Sequence, residues 1–82
     1  MKLTGLYFAA VRDLVGKDDE IIDVPTGVAT IEGLAAHLAA LHPELEGRLR
    51  YVRFARNEEF ALPADPVAEG DTIALIPPVA GG

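Results

Sequence analysis

Along residues 2–9 of the 82-residue chain, alternation puts Leu3, Gly5, Tyr7 and Ala9 on one side of an extended segment and Thr4, Leu6 and Phe8 on the other. Bulk on both sides predicts a strand with neither face simply given to solvent. Helical spacing takes over at Val11, Leu14 and Val15, and Gly16 stands where a turn or two of helix would stop. Residues 20–24 read as a second strand ending at Pro25, close enough to the first for an antiparallel pair.

The clearest pattern starts at Thr30, a good N-cap, and continues through Ile31, Leu34, Ala35, Leu38 and Leu41 as one apolar stripe until Pro43 ends the helix. Such a stripe must lie on a sheet. Residues 44–47 read as a turn or short helix, 51–55 as a third strand, Asn57 and Glu58 as turn, and 60–62 as a brief strand; Pro63, Pro66, Gly70 and Asp71 mark loop and turn. The last strand, 72–76, is closed by Pro77 and Pro78, which cannot donate to a ladder. This order predicts an α+β fold with one main helix packed across a mixed sheet. With the first and last strands parallel at its centre, it would be a β-grasp. Residues 1–78 are assigned to this domain and 79–82 to an extended C-terminal tail.

Length leaves room for one modest core, and a half-hydrophobic composition predicts a folded globule. The absence of cysteine removes disulfides, thiolate metal sites and a cysteine nucleophile, and fits a reducing cytoplasm, the expected location. No apolar run approaches the roughly 20 residues of a membrane span. Thirteen acidic against seven basic residues give a net charge of -6, which repels nucleic acid. Arg48, Arg50, Arg53 and Arg56 are close in sequence, but Arg53 and Arg56 differ in strand parity, so the run is not one stripe. The acidity points to solubility, or to a partner with a basic surface.

Conventional catalytic constellations are missing. His37 and His42 are five apart rather than on one helical face, so no metal site is expected, and Asp18, Asp19 and Glu20 read as a solvated turn. There is no phosphate loop, nucleophile elbow or pair of acids, which implies no catalytic side chains of the chain's own.

Chemistry is instead suggested by Val79, Ala80, Gly81 and Gly82, where nothing large or charged follows two stiff prolines. Glycines without Cβ can pass down a narrow channel. A frayed terminus is the plain alternative. A carboxylate there is inert until an ATP-using enzyme makes it an acyl-adenylate; a sulfur donor can then displace AMP and leave a thiocarboxylate.

The stretch 7–16 with Tyr7, Phe8, Arg12, Asp13 and Gly16, then Asn57, and finally 69–82 with its Gly70–Asp71 turn, alternating strand, Pro77, Pro78, Gly81 and Gly82, resemble the small subunit of molybdopterin synthase. That family has the ubiquitin-like β-grasp fold. The resemblance implies that Gly82 is adenylated by an adenylyltransferase similar to ubiquitin-activating enzymes, using ATP and Mg²⁺, and thiocarboxylated by a sulfur-donor relay. The tail then enters the large subunit, usually in a heterotetramer, and gives sulfur to cyclic pyranopterin monophosphate to build the dithiolene of molybdopterin. The resemblance also implies that no cofactor is permanently bound.

By position, Phe8, Phe60 and Ile76 match an apolar patch that meets partners, Pro77 and Pro78 adjoin it, and Arg12 matches a basic position facing acidic partner residues. Parity puts Phe8 and Ile76 off the helix face, although short loops covering these side chains, or a merely solvated Arg12, are the bland readings. Two departures are mild: the segment 24–29 is slightly long, and Ala80 stands where a hydroxyl residue is common. The alternatives are a sulfur carrier for thiamine synthesis or tRNA thiolation, or a non-catalytic ubiquitin-like interaction module.

Overall fold

Alternation survives in the computed structural model, which describes residues 1–78: in β1 (Lys2–Tyr7) Leu3, Gly5 and Tyr7 are buried while Thr4 and Leu6 are half-buried on the other face. The readings placed on Val79, Ala80, Gly81 and Gly82 lie outside the described residues. After β1 come α1 (Ala9–Val15), β2 (Asp19–Asp23), α2 (Ile31–Leu41), two 3₁₀ turns (Pro43–Leu45 and Leu49–Tyr51), β3 (Arg53–Arg56), β4 (Glu59–Ala61) and β5 (Thr72–Ile76). The sheet order is β2-β1-β5-β3-β4, with β1 and β5 parallel in the middle and every other pairing antiparallel. This is the α+β, ubiquitin-like β-grasp arrangement.

One face of the sheet and one side of α2 make the core. Ile31, Leu34 and Leu38 of the helix join Leu3, Tyr7, Ile22, Phe54, Ile73 and Leu75 of the strands in a single buried cluster. Thr30 caps the helix as expected, its Oγ1 accepting from the Gly33 N–H at 3.1 Å. Leu41 departs from the predicted stripe and is exposed; Leu45, from the following 3₁₀ turn, is the residue fully buried at that end.

Several boundaries differ from the sequence reading; the brief strand expected over 60–62 is β4 at Glu59–Ala61, which leaves Leu62 exposed beyond it. β1 stops at Tyr7 because Phe8 becomes the N-cap of α1 and Ala9 takes a positive φ of 47°, so Ala9 begins the helix rather than continuing the strand. β2 runs one residue earlier than expected, leaving the buried Val24 just beyond it. Tyr51 and Val52 donate to Arg48 and Leu49 in i→i+3 bonds of 3.2 and 3.1 Å, which keep Tyr51 in a 3₁₀ turn and delay β3 to Arg53.

A polar pin crosses the core edge. The Tyr7 hydroxyl donates to Glu20 Oε2 at 2.5 Å, His42 Nε2 meets the same oxygen at 2.5 Å, and Lys17 Nζ reaches Oε1 at 3.3 Å. Burial alone would push the Glu20 carboxyl up, but the bonds from Tyr7, His42 and Lys17 outweigh it and hold the group below the usual range. Burial, with the adjacent Glu20 carboxylate, pushes the Tyr7 phenol up. The pin needs Gly5, the ladder partner of Glu20: a Cβ there would stand 2.7 Å from Ile22 Cδ1 and 3.2 Å from the Tyr7 hydroxyl oxygen.

Two outcomes follow. Gly5→Ala should lower stability by about 1–3 kcal/mol, the usual cost of overpacking, read from the urea midpoint. A carboxyl depressed in the folded state stabilises above its unfolded value, here near 4.5, and loses that contribution as pH falls through the lower folded value. Glu20→Gln should therefore be less stable than wild type at pH 7, with the gap closing in strong acid; an unchanged gap at low pH would contradict the pin.

Candidate functional site

The face of the sheet turned away from α2 is built by register. Leu6 of β1 stands beside Ala74 of β5, Ala74 beside Ala55 of β3, and Ala55 beside Phe60 of β4. Two methyl groups on the central strands cannot fill the space between larger neighbours. The result is a groove of about 330 Å³ with Leu6, Ala55 and Ala74 as its floor, Phe8, Phe60 and Ile76 as its apolar walls, and Glu58 and Thr72 at its polar edge. Phe8 and Phe60 are 45% and 60% exposed, so loops do not cover them. The three residues singled out for an apolar patch thus meet in one place.

Arg53 joins them. It is the ladder partner of Ile76, and its guanidinium lies 3.9 Å from the centre of the Phe60 ring, close enough for a cation–π contact. Pro77 and Pro78 belong elsewhere: they line a separate cleft of about 350 Å³ with Val11, Leu14, Leu49, Tyr51 and Val52. The end of β5 therefore separates two concave surfaces, Ile76 facing one and the prolines the other. Arg12 lines neither; it is exposed and sits 3.9 and 3.8 Å from Asp13 and Asp18, pairs of little energetic weight.

The start of β5 is held by Asp71, the buried charged residue of the described chain. Its carboxylate accepts from Arg56 Nε at 2.6 Å, Asn57 Nδ2 at 3.0 Å and the Ala68 N–H at 2.8 Å. Burial would push this carboxyl up, yet the donors from Asn57, Arg56 and Ala68 hold it below the usual carboxylate range. Asn57, in the left-handed region at φ 50°, also accepts from the Thr72 N–H at 2.9 Å. The β3–β4 turn is thus tied to the first residue of β5, which sets the register that places Ala74 and Ile76 in the groove.

Sequence reasoning put Leu6 on the side of Phe8 without singling it out, and missed Ala55, Ala74 and Arg53 as parts of this face. The alanines acquire meaning only when cross-strand partners are known. Arg53 was obscured by its place in a run of arginines whose parity is broken at Arg56. Among the described residues, no group of three or more histidine or acidic side chains could hold a metal ion, and no helix is long and apolar enough to cross a membrane.

Residues 6–82 match the model of the ThiS family. The molybdopterin synthase sulfur carrier subunit of Chlamydomonas reinhardtii is 37% identical over 84 residues, covering 100% of both chains. The subunit of that name from Escherichia coli K12 is 35% identical, covering 94% of this chain and 95% of its own. Among solved structures, small archaeal modifier protein 1 of Haloferax volcanii aligns with a TM-score of 0.87 and 31% identity over 100% of both chains.

If the exposed aromatics serve contact rather than folding, removing one should leave stability nearly intact. Phe60→Ala should cost less than about 1 kcal/mol, whereas Phe54→Ala, in the core, should cost about 3–5 kcal/mol. Equal losses in chemical denaturation would assign Phe60 to the core's support instead.

Proposed function

The chain belongs to the ThiS family, and on that premise we propose that it is a sulfur carrier of molybdenum cofactor biosynthesis, with the carboxyl of Gly82 as the group that carries the sulfur. In the first step an adenylyltransferase joins that carboxylate to the α-phosphate of ATP, with Mg²⁺ at its own site, and pyrophosphate leaves. A hydrosulfide equivalent from a donor relay then attacks the acyl carbon; AMP departs with its electron pair and a thiocarboxylate remains. Within molybdopterin synthase, the thiocarboxylate sulfur attacks a side-chain carbon of the cyclic pyranopterin monophosphate that bears oxygen, forming a C–S bond as that C–O bond breaks and its oxygen leaves with the electron pair. A second loaded carrier repeats the step at the neighbouring carbon. Water finally cleaves the acyl–sulfur bond, leaving sulfur on the pterin and restoring the carboxylate.

One juxtaposition supports this reading. Ile76 is a wall of the apolar groove and lies two residues before Pro78, the last described residue. Four further residues can span at most roughly 14 Å. An enzyme seated on Phe8, Phe60 and Ile76 would therefore have Gly82 within a short reach of its docking contacts. The large subunit is the partner assigned to this groove, with catalytic side chains of its own; this chain supplies the sulfur and the docking face.

Similarity to a small archaeal modifier protein favours a second use of the same terminus. An amine attacking the acyl-adenylate would form an amide and release AMP, joining the chain to another protein. The two uses diverge only in the nucleophile.

Intact mass spectrometry after incubation with the adenylyltransferase, ATP, Mg²⁺ and a sulfur source tests the proposal. A gain of about 16 Da, sulfur for oxygen, is expected on the C-terminal peptide and should vanish when Gly82 is deleted; an unchanged mass in the wild type would refute carriage, and higher-mass conjugates would favour the amide. Filling the groove floor with Ala74→Leu should leave the fold intact and weaken large-subunit binding by at least about tenfold, as expected for a blocked hot-spot pocket. Undiminished binding would move the docking face elsewhere.

A further inference from the structure

The hairpin between β3 and β4 turns on two residues, Asn57 and Glu58, and both have positive φ, 50° and 74°. A two-residue loop of this kind favours asparagine followed by glycine, because a Cβ at positive φ crowds the neighbouring backbone. Asn57 fits, and its side chain is used twice, on Asp71 and on the Thr72 N–H. Glu58 does not fit. It is a long charged side chain at a glycine position, it is exposed, and among the described residues that side chain makes no hydrogen bond or ion pair. Arg56, two residues away, is committed to Asp71 at 2.6 Å. Within the described fold, no polar contact of the Glu58 side chain offsets the strain of its backbone.

Glu58 lines the apolar groove, where it and Thr72 are the polar members. Register orients that groove. Thr72 and Ile76 close the two ends of the outward row of β5, roughly 13 Å apart at strand spacing, and Arg53 is the ladder partner of Ile76. A carboxylate and a hydroxyl therefore mark one end, a guanidinium over Phe60 marks the other, and Ala55 and Ala74 form the apolar floor between them. Glu59, the next residue of the hairpin, lines a separate hollow with Arg56 and Asn57.

We propose that Glu58 is a docking residue that receives a cationic side chain, lysine or arginine, of the molybdopterin synthase large subunit, whose methylene stem lies across Ala55 and Ala74. Such side chains lay their stems on apolar surface and keep the charged head at a polar rim. The carboxylate of Glu58, with the Thr72 hydroxyl at the same end, supplies acceptors for that head. Arg53 repels it from the other end, so the cation points toward Thr72 and the Ile76 end is left for an apolar contact. Strain retained at a residue that supports nothing in the fold is expected where recognition, not stability, keeps the side chain. The proposal deepens the reading of the groove as the seat of the large subunit and rests on it.

Calorimetric titration of the full chain with the large subunit of the same organism, at low and at physiological salt, tests it together with thermal melting of the free chain. Glu58→Gln keeps the shape and the backbone conformation but removes the charge. It should weaken binding at least about tenfold and flatten the salt dependence, with Tm within about 2 °C of wild type. Glu58→Gly should weaken binding as much yet raise Tm by roughly 4 °C, because glycine relieves the positive φ. Glu58→Lys should bind at least about threefold worse than Glu58→Gln, since like charges then meet. Glu59→Gln makes the same change in net charge outside the groove and should leave affinity within about twofold. Wild-type affinity in Glu58→Gln, a Glu58→Lys no weaker than Glu58→Gln, an equal loss in Glu59→Gln, or no rise in Tm for Glu58→Gly would each overturn the proposal. If Ala74→Leu still weakens binding in that event, the groove remains the docking face and only the cationic contact is lost. Undiminished binding by both Ala74→Leu and Glu58→Gln would bring down the groove as well.

Discussion

Parallel pairing of β1 with β5 is the constraint on which the structure depends. Parallel neighbours cannot be joined by a hairpin, so the intervening chain must cross over, and here it carries α2 across one face of the sheet on the way. That crossing buries Leu3, Tyr7, Ile73 and Leu75 beneath Ile31, Leu34 and Leu38. It also leaves the other face bare. The same pairing fixes the direction of β5, so that its last residue emerges beside Phe8, just beyond the end of β1.

With the two faces divided in this way, stability and recognition use different side chains of the same strands. Along β5, Ile73 and Leu75 are fully buried, while Thr72, Ala74 and Ile76 face the groove. Their requirements differ in kind: the inner set must fill space, and the outer set must leave it. Asp71 and Asn57 connect the two demands, because the turn they lock is what holds β5 in one register against β3; a slip of one residue would exchange its faces.

Much of this was legible in the sequence because the strongest signals are local. The helix stripe, its Thr30 cap, the final strand and the proline pair all lie within a few residues of the features that specify them, and the parity of Phe8 and Ile76 correctly placed them away from the helix. What escaped depends on distant partners. The turn at Ala9 requires a positive φ that no glycine announced, Tyr51 looked like a strand residue until its 3₁₀ bonds were seen, and Gly5 gained its purpose only when Tyr7 was found reaching across it to Glu20. The groove floor was invisible for the same reason, since an alanine records nothing about its cross-strand neighbour.

β5 is bonded to β1 on one side and β3 on the other, and its register with both is continuous almost to Ile76. Traction applied along the strand from that end would load both rows of hydrogen bonds in shear at once rather than peel them apart singly. A pull on that end of β5 therefore meets the resistance of both ladders together before it reaches the core, much as a rope is best secured to the plank nailed along both edges.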